Sequence, residues 1–138
     1  MREVLYTRPE LFYLAETWQY YADSASRVTR VLLEYRYTAS QIPAKRAEYN
    51  ALLENFIAKC GIDETFTDFE CVLAVHDTMI SIYSYDSDYV IDTSYGMLKS
   101  GKGVCEAYSL LFLEVMRYCN IESFIALNIP EKHCWNMV

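Results

Sequence analysis

Apolar side chains recur along this chain with two different periods, and the change of period divides it. Residues 16–22 and 28–37 are rich in Trp, Tyr, Val and Leu, and the second run alternates, Leu33, Tyr35 and Tyr37 against Glu34 and Arg36. A period of two is the repeat of a strand with one face covered. The two runs therefore predict an antiparallel hairpin turning at Asp23-Ser24-Ala25-Ser26, with helix left open for either run. Ahead of them, residues 8–14 read as a short turn or helix at Pro9. From Pro43 the repeat becomes helical: Tyr49, Leu52, Leu53, Phe56, Ile57 and Cys60 form one stripe, Pro43 suits a first turn and Gly61 a stop. Thr67-Asp68-Phe69-Glu70 is a capping-box pattern opening a second helix, whose expected inward stripe is Phe69, Val72, Leu73, His76, Ile80 and Tyr83. On that stripe His76 reads as a hydrogen-bonded core residue.

Asp92-Thr93-Ser94 is placed to cap a short helical turn over residues 95–99. Residues 105–119 are then apolar on nearly every side, with only Glu106, Ser109, Glu114 and Arg117 polar, which predicts a buried helix starting at or just before Cys105 and ending near Asn120. Residues 121–128 read as a strand, Pro130 as a turn and residues 133–138 as the returning strand. Alternation puts His133, Trp135 and Met137 on one face and Cys134, Asn136 and Val138 on the other. The His133 face is expected to look at the helix, with Asn136 turned away.

These elements predict an α+β fold, with helices over residues 43–118 packed against antiparallel strands from the hairpin and from the C-terminal region. Whether those strands share one sheet is open. With 53% hydrophobic residues the 138-residue chain can bury the core of one domain, a hairpin region at 1–40 and a helical region at 41–138, and it carries no repeat or linker. A net charge of −7 argues against nucleic acid or an anionic membrane surface as partner. No apolar run approaches the roughly 20 residues of a membrane span, Met1-Arg2-Glu3 opens no leader pattern, and the compartment stays undetermined. Five cysteines form an odd set without Cys-x-x-Cys or zinc-finger spacing, and they read as reduced core thiols. Asp86, Asp88 and Asp92 lack the glycine and terminal glutamate of an EF-hand loop and read as a solvated loop, so neither metal nor cofactor is called for. Thirteen scattered tyrosines read as half-buried packing.

Candidate chemistry gathers at Cys105. Gly101-Lys102-Gly103 is a flexible, basic approach to a helix start, where unpaired N–H groups and the helix dipole favour thiolate over thiol. His133 is the candidate base, Trp135 a shield on the same strand face, and the Cys105 N–H a donor to a developing oxyanion. Tyr95 is a further candidate wall or donor. Glu106 reads as a first-turn helix acid.

Tyr95-Gly96, then Gly101-Lys102-Gly103-Val104-Cys105-Glu106-Ala107-Tyr108, then His133-Cys134-Trp135-Asn136 resemble the core of bacterial transglutaminase-like proteins, relatives of papain-like cysteine peptidases. Val75-His76-Asp77 and Tyr85-Asp86 resemble that family's lead-in, and Pro9-Glu10-Leu11-Phe12 resembles it weakly. The resemblance implies that Cys105 attacks an amide carbonyl of a peptide or protein, that His133 is its base, and that an aspartate on the next strand orients the histidine. No aspartate follows His133 in this sequence. The expectation is therefore a fragment of a longer chain, weakly active or inactive by itself, with an exposed edge able to pair with another copy. Hydrolysis and transamidation stay open, and a non-catalytic binding or structural module is the rival reading.

Overall fold

The computed structural model describes residues 2–138. Helix α1, Arg2–Thr7, and a single 3-10 turn, Pro9–Leu11, lead into strands β1, Leu14–Ala22, and β2, Val28–Tyr35. The strands pair antiparallel, Trp18 opposite Leu33 and Tyr20 opposite Val31. Their turn is organised by Asp23, whose carboxylate accepts the N–H groups of Ala25 at 2.9 Å and Arg27 at 3.0 Å, while Ser26 takes a left-handed φ of 59°. Arg36 anchors the base of the hairpin by donating two hydrogen bonds to Asp92, at 2.9 and 2.7 Å. The alternation in β2 predicted one covered face, but this strand is exposed along its whole length. Among the described residues no element covers β2, and the hairpin is held by cross-strand pairs and by Arg30 over the Tyr21 ring at 4.2 Å.

Helix α2, Ile42–Cys60, starts with Pro43 in its first turn and ends at Gly61, whose φ of 64° suits a residue without Cβ. Helix α3, Asp68–Ile82, is opened by the capping box: Thr67 Oγ1 accepts the Glu70 N–H and the Glu70 carboxylate accepts the Thr67 N–H. Its buried residues are Cys71, Val75 and Met79. The expected stripe is thus displaced, with Phe69 at 69% exposure, Leu73, His76 and Ile80 all turned outward. The reason is physical: α3 carries apolar residues on two faces, so the 3.6-residue repeat is satisfied by either, and packing chose the smaller side chains. His76 is consequently no core histidine. Its Nδ1 lies 2.9 Å from Asp77 Oδ1 at the surface.

Strand β3, Ser84–Tyr85, precedes α4, Ser94–Ser100, which is capped by Thr93 accepting the Gly96 N–H at 3.1 Å. Strand β4, Lys102–Gly103, pairs parallel with β3, and α5, Cys105–Tyr118, follows directly. Strands β5, Phe124–Asn128, and β6, His133–Met137, form an antiparallel hairpin with Leu127 opposite Cys134. The architecture is α+β. The strands form three separate two-stranded ladders among the described residues, and no common sheet joins the N-terminal hairpin to the C-terminal one.

Helix α5 is the centre of the core. Ala107, Leu111, Val115 and Met116 are buried against Phe56, Val75, Met79 and Met97 from the three other long or capped helices. A second cluster joins Phe12, Tyr49 and Tyr95, with the Tyr49 hydroxyl 3.2 Å from Ser94 Oγ. Among the described residues no helix is long and apolar enough to cross a membrane.

Candidate functional site

The position of Cys105 is set by the residues immediately before it. Asp86 is fully buried and its carboxylate accepts the N–H groups of Asp88 at 3.3 Å and of Val90 and Ile91 at 2.9 Å each. Lys102 Nζ lies 2.7 Å from the same carboxylate. The Asp86 N–H donates to the Gly103 carbonyl at 3.0 Å, and the Val104 N–H to the Ile91 carbonyl at 2.9 Å. The aspartate cluster is therefore not the solvated loop expected from its composition. Asp86 replaces water with three main-chain donors and a lysine, which stabilises a buried carboxylate, and Asp92 binds Arg36. Gly103 completes the clamp, since a Cβ there would meet the Ala107 Cβ at 2.8 Å and the Met97 sulfur at 3.1 Å. Only glycine lets the chain lie this close to α4 and α5 before Cys105 opens the helix.

Lys102, first, and the N–H groups of Ile91, Val90 and Asp88 hold the Asp86 carboxyl well below its ordinary value, against burial, which acts the other way. A carboxyl depressed on folding adds stability above its unfolded value, here 3.8, and that stability is lost as pH falls through the folded value. Asp86→Asn is expected to lower the melting temperature at pH 7 and to flatten its decline between pH 4 and pH 2. Thermal unfolding followed by circular dichroism across that range checks this, and parallel curves for the two proteins would contradict the clamp.

Cys105 opens on a groove of about 590 Å³. Leu73, His76 and Ile80, on the outward face of α3, form one wall; Tyr108 and Phe112 of α5 form the floor; His133, Trp135 and Val138 close the far side. The lining is largely apolar, and half-buried Cys105 sits in it beside Tyr85 and Cys134.

Strand β6 has the expected alternation but the opposite phase. Cys134 is buried and Asn136 Nδ2 donates to the Ser109 carbonyl at 3.0 Å, so this face, not the His133 face, packs on α5. His133 and Trp135 stand on the open side, their rings stacked with centroids 6.0 Å apart and Trp135 44% exposed. The small thiol and the amide allow close strand-to-helix contact, and a histidine and a tryptophan do not. No hydrogen bond joins Cys105 to His133 among the described residues. Both nevertheless border the same groove.

Tyr95, the expected wall or donor, lies elsewhere. It is buried in the second aromatic cluster, stacked on Phe12 at 4.5 Å, and its hydroxyl donates to Glu48 at 2.8 Å and accepts from Lys45 at 3.1 Å. Its neighbourhood of charges had no local signal, because Lys45 and Glu48 come from a distant helix. The tyrosine at Cys105 is instead Tyr85. Its hydroxyl faces the main-chain N–H and the thiol of Cys105, and burial, then the Cys105 charge, push its phenol up. Tyr85 reaches this place through the register Tyr85 opposite Gly103, a pairing of two-residue strands too short to read from sequence. Cys134 was likewise missed as a site residue, since alternation alone placed it away from the helix.

Cys105 at the head of α5 combines a thiol, first-turn N–H donors and a tyrosine hydroxyl at the edge of an apolar groove. That set can hold a thiolate and a developing oxyanion. Among the described residues no group of three or more His, Cys, Asp or Glu side chains could hold a metal ion. No protein-family model matches the chain, and comparison with curated proteins finds no relative.

Proposed function

We propose that this chain carries a cysteine acyl-transfer site of transglutaminase-like type, acting on peptide or side-chain amides. The observation that carries the reading is Cys105, the first residue of α5, opening on a groove bordered by His133 and Trp135. In this mechanism the Cys105 thiol proton passes to His133, the sulfur attacks the amide carbonyl carbon, and the carbonyl oxygen takes the negative charge beside the Cys105 N–H. The carbon–nitrogen bond breaks as His133 gives a proton to the departing amine, leaving a thioester. Water or a second amine resolves it. Water makes the enzyme a protease or amidase, and an amine makes it a crosslinking enzyme.

The His133 ring rests on Trp135. Catalytic hydrogen bonds often tighten only in the substrate complex, and a side-chain rotation about His133 is the step that substrate must drive. No carboxylate holds His133 among the described residues, so the imidazole lacks the partner that fixes its tautomer, and turnover is slow.

One observation favours a second reading. The His133–Trp135 stack and the apolar walls would equally serve a module that holds a peptide without cleaving it. Incubation with glutamine-containing protein and a fluorescent primary amine, with released ammonia measured in parallel, separates the two. Ammonia release or amine incorporation supports acyl transfer; saturable peptide binding with neither product supports the binding module.

A further inference from the structure

The Cys134 thiol has no role in acyl transfer, yet it is one of three thiol or hydroxyl groups brought to a single spot. Cys105 and Ser109 are one helical turn apart and share a face of α5, where residues four apart lie about 5–6 Å from one another. Cys134 packs onto that face, beside both, fixed by the neighbouring bond from Asn136 to the Ser109 carbonyl. Both thiols are free and both border the groove. The groove is the route by which a small solute reaches them.

We propose that Cys134 is the resolving thiol of a peroxide-sensitive pair, and that a hydroperoxide converts Cys105 and Cys134 into a disulfide. The Cys105 thiolate attacks one peroxide oxygen; a sulfur–oxygen bond forms, the oxygen–oxygen bond breaks, and hydroxide or alkoxide leaves and is protonated. Cys134 sulfur, having lost its proton, then attacks the sulfenic sulfur of Cys105. The sulfur–sulfur bond forms, the sulfur–oxygen bond breaks and water departs. The two thiols together lose two electrons and the peroxide takes up both.

The local charges order these steps. Burial, first, pushes Cys134 up to about 12, Ser109 opposes this, and a charge on Cys105 adds to it. Cys134 is therefore the member that keeps its proton. Once Cys105 has become a neutral sulfenic acid that opposing charge is gone, and Cys134 ionises more readily. The disulfide returns to two thiols with a dithiol reductant, whereas a sulfinic acid at Cys105 would not. The inference concerns thiol chemistry and does not depend on acyl transfer being the activity.

The chain contains its own comparison. Cys119, which burial pushes up to about 11, lies beside Cys71, but this second pair belongs to the helical core and not to the groove. Proximity alone would oxidise both pairs; access through the groove selects the first.

Peptide mass spectrometry after one equivalent of hydrogen peroxide tests the proposal. Trypsin cleaving after Lys102, Arg117 and Lys132 puts Cys105, Cys119 and Cys134 on separate peptides. The full chain is expected to yield the Cys105–Cys134 linked peptide, lost on addition of dithiothreitol. In Cys134→Ser the link vanishes, dimedone labelling of Cys105 rises about tenfold, and excess peroxide carries Cys105 to the sulfinic acid. The proposal is overturned if the unmodified chain accumulates dimedone-labelled Cys105 without the link, or if Cys71–Cys119 forms first. The linked peptide is read in the unsubstituted protein, so the outcome stands even if Cys134→Ser folds poorly.

Discussion

Cys105→Ser is expected to keep its fold and lose acyl transfer by about a thousandfold or more. The substitution changes one atom at the first position of α5, where serine is well tolerated, and the site is only half-buried. Nothing in the core moves. What changes is the nucleophile, because a hydroxyl needs a base already aligned with it, and here the nearest imidazole is stacked on Trp135. A thiolate favoured by the helix N-terminus requires less from its partner. The comparison is made on ammonia release and amine incorporation at matched concentration, with circular dichroism to confirm the fold. Equal activity in the two proteins would remove Cys105 from the chemistry.

Leu111→Ala is expected to destabilise the protein by about 3 kcal/mol, lowering the melting temperature by roughly 10 °C. Leu111 is fully buried two turns into α5, in the cluster that joins this helix to α2, α3 and α4. Truncation removes transfer free energy and leaves a cavity that flanking residues from several helices cannot collapse into together. Because α5 also carries Cys105 and receives β6 through Ser109, this loss propagates to the site. Urea unfolding at pH 7 measures it, and a loss below about 1 kcal/mol would mean that α5 is not the central packing element.

The parts of this fold legible in the sequence are those specified by local chemistry. Pro43 and Gly61 bounded α2, the Thr67–Glu70 capping box began α3, and the glycine run delivered α5 at Cys105, because each depends on residues within one turn of the boundary. Which face an element turns inward depends on what it meets, and that is where the reading departs from the structure. Helix α3 is apolar on two faces and β6 alternates a small inward pair, buried Cys134 and half-buried Asn136, with a large exposed one, so periodicity fixed the spacing in both without fixing the phase. For α3 the consequence is functional: the face that did not enter the core is a wall of the groove. Tyr85, and not Tyr95, stands at Cys105 for a related reason, since the two-residue β3–β4 ladder that brings Tyr85 there has no sequence pattern of its own. Asp86 looked like loop chemistry because the lysine and N–H groups that neutralise its burial are recruited by the folded turn.

The claim at the centre of this account is that Cys105 is a nucleophile assisted by His133. The rate of iodoacetamide alkylation at each cysteine, mapped by mass spectrometry at pH 7 in the unmodified chain and in His133→Ala, tests it most directly. The account predicts that Cys105 is modified at least about tenfold faster than Cys60 or Cys119, as expected for a thiolate at a helix N-terminus against thiols that burial pushes up, and that His133→Ala slows it. Alkylation of Cys105 at the pace of Cys60 and Cys119, unaffected by His133→Ala, would contradict it and leave the groove as a binding surface alone.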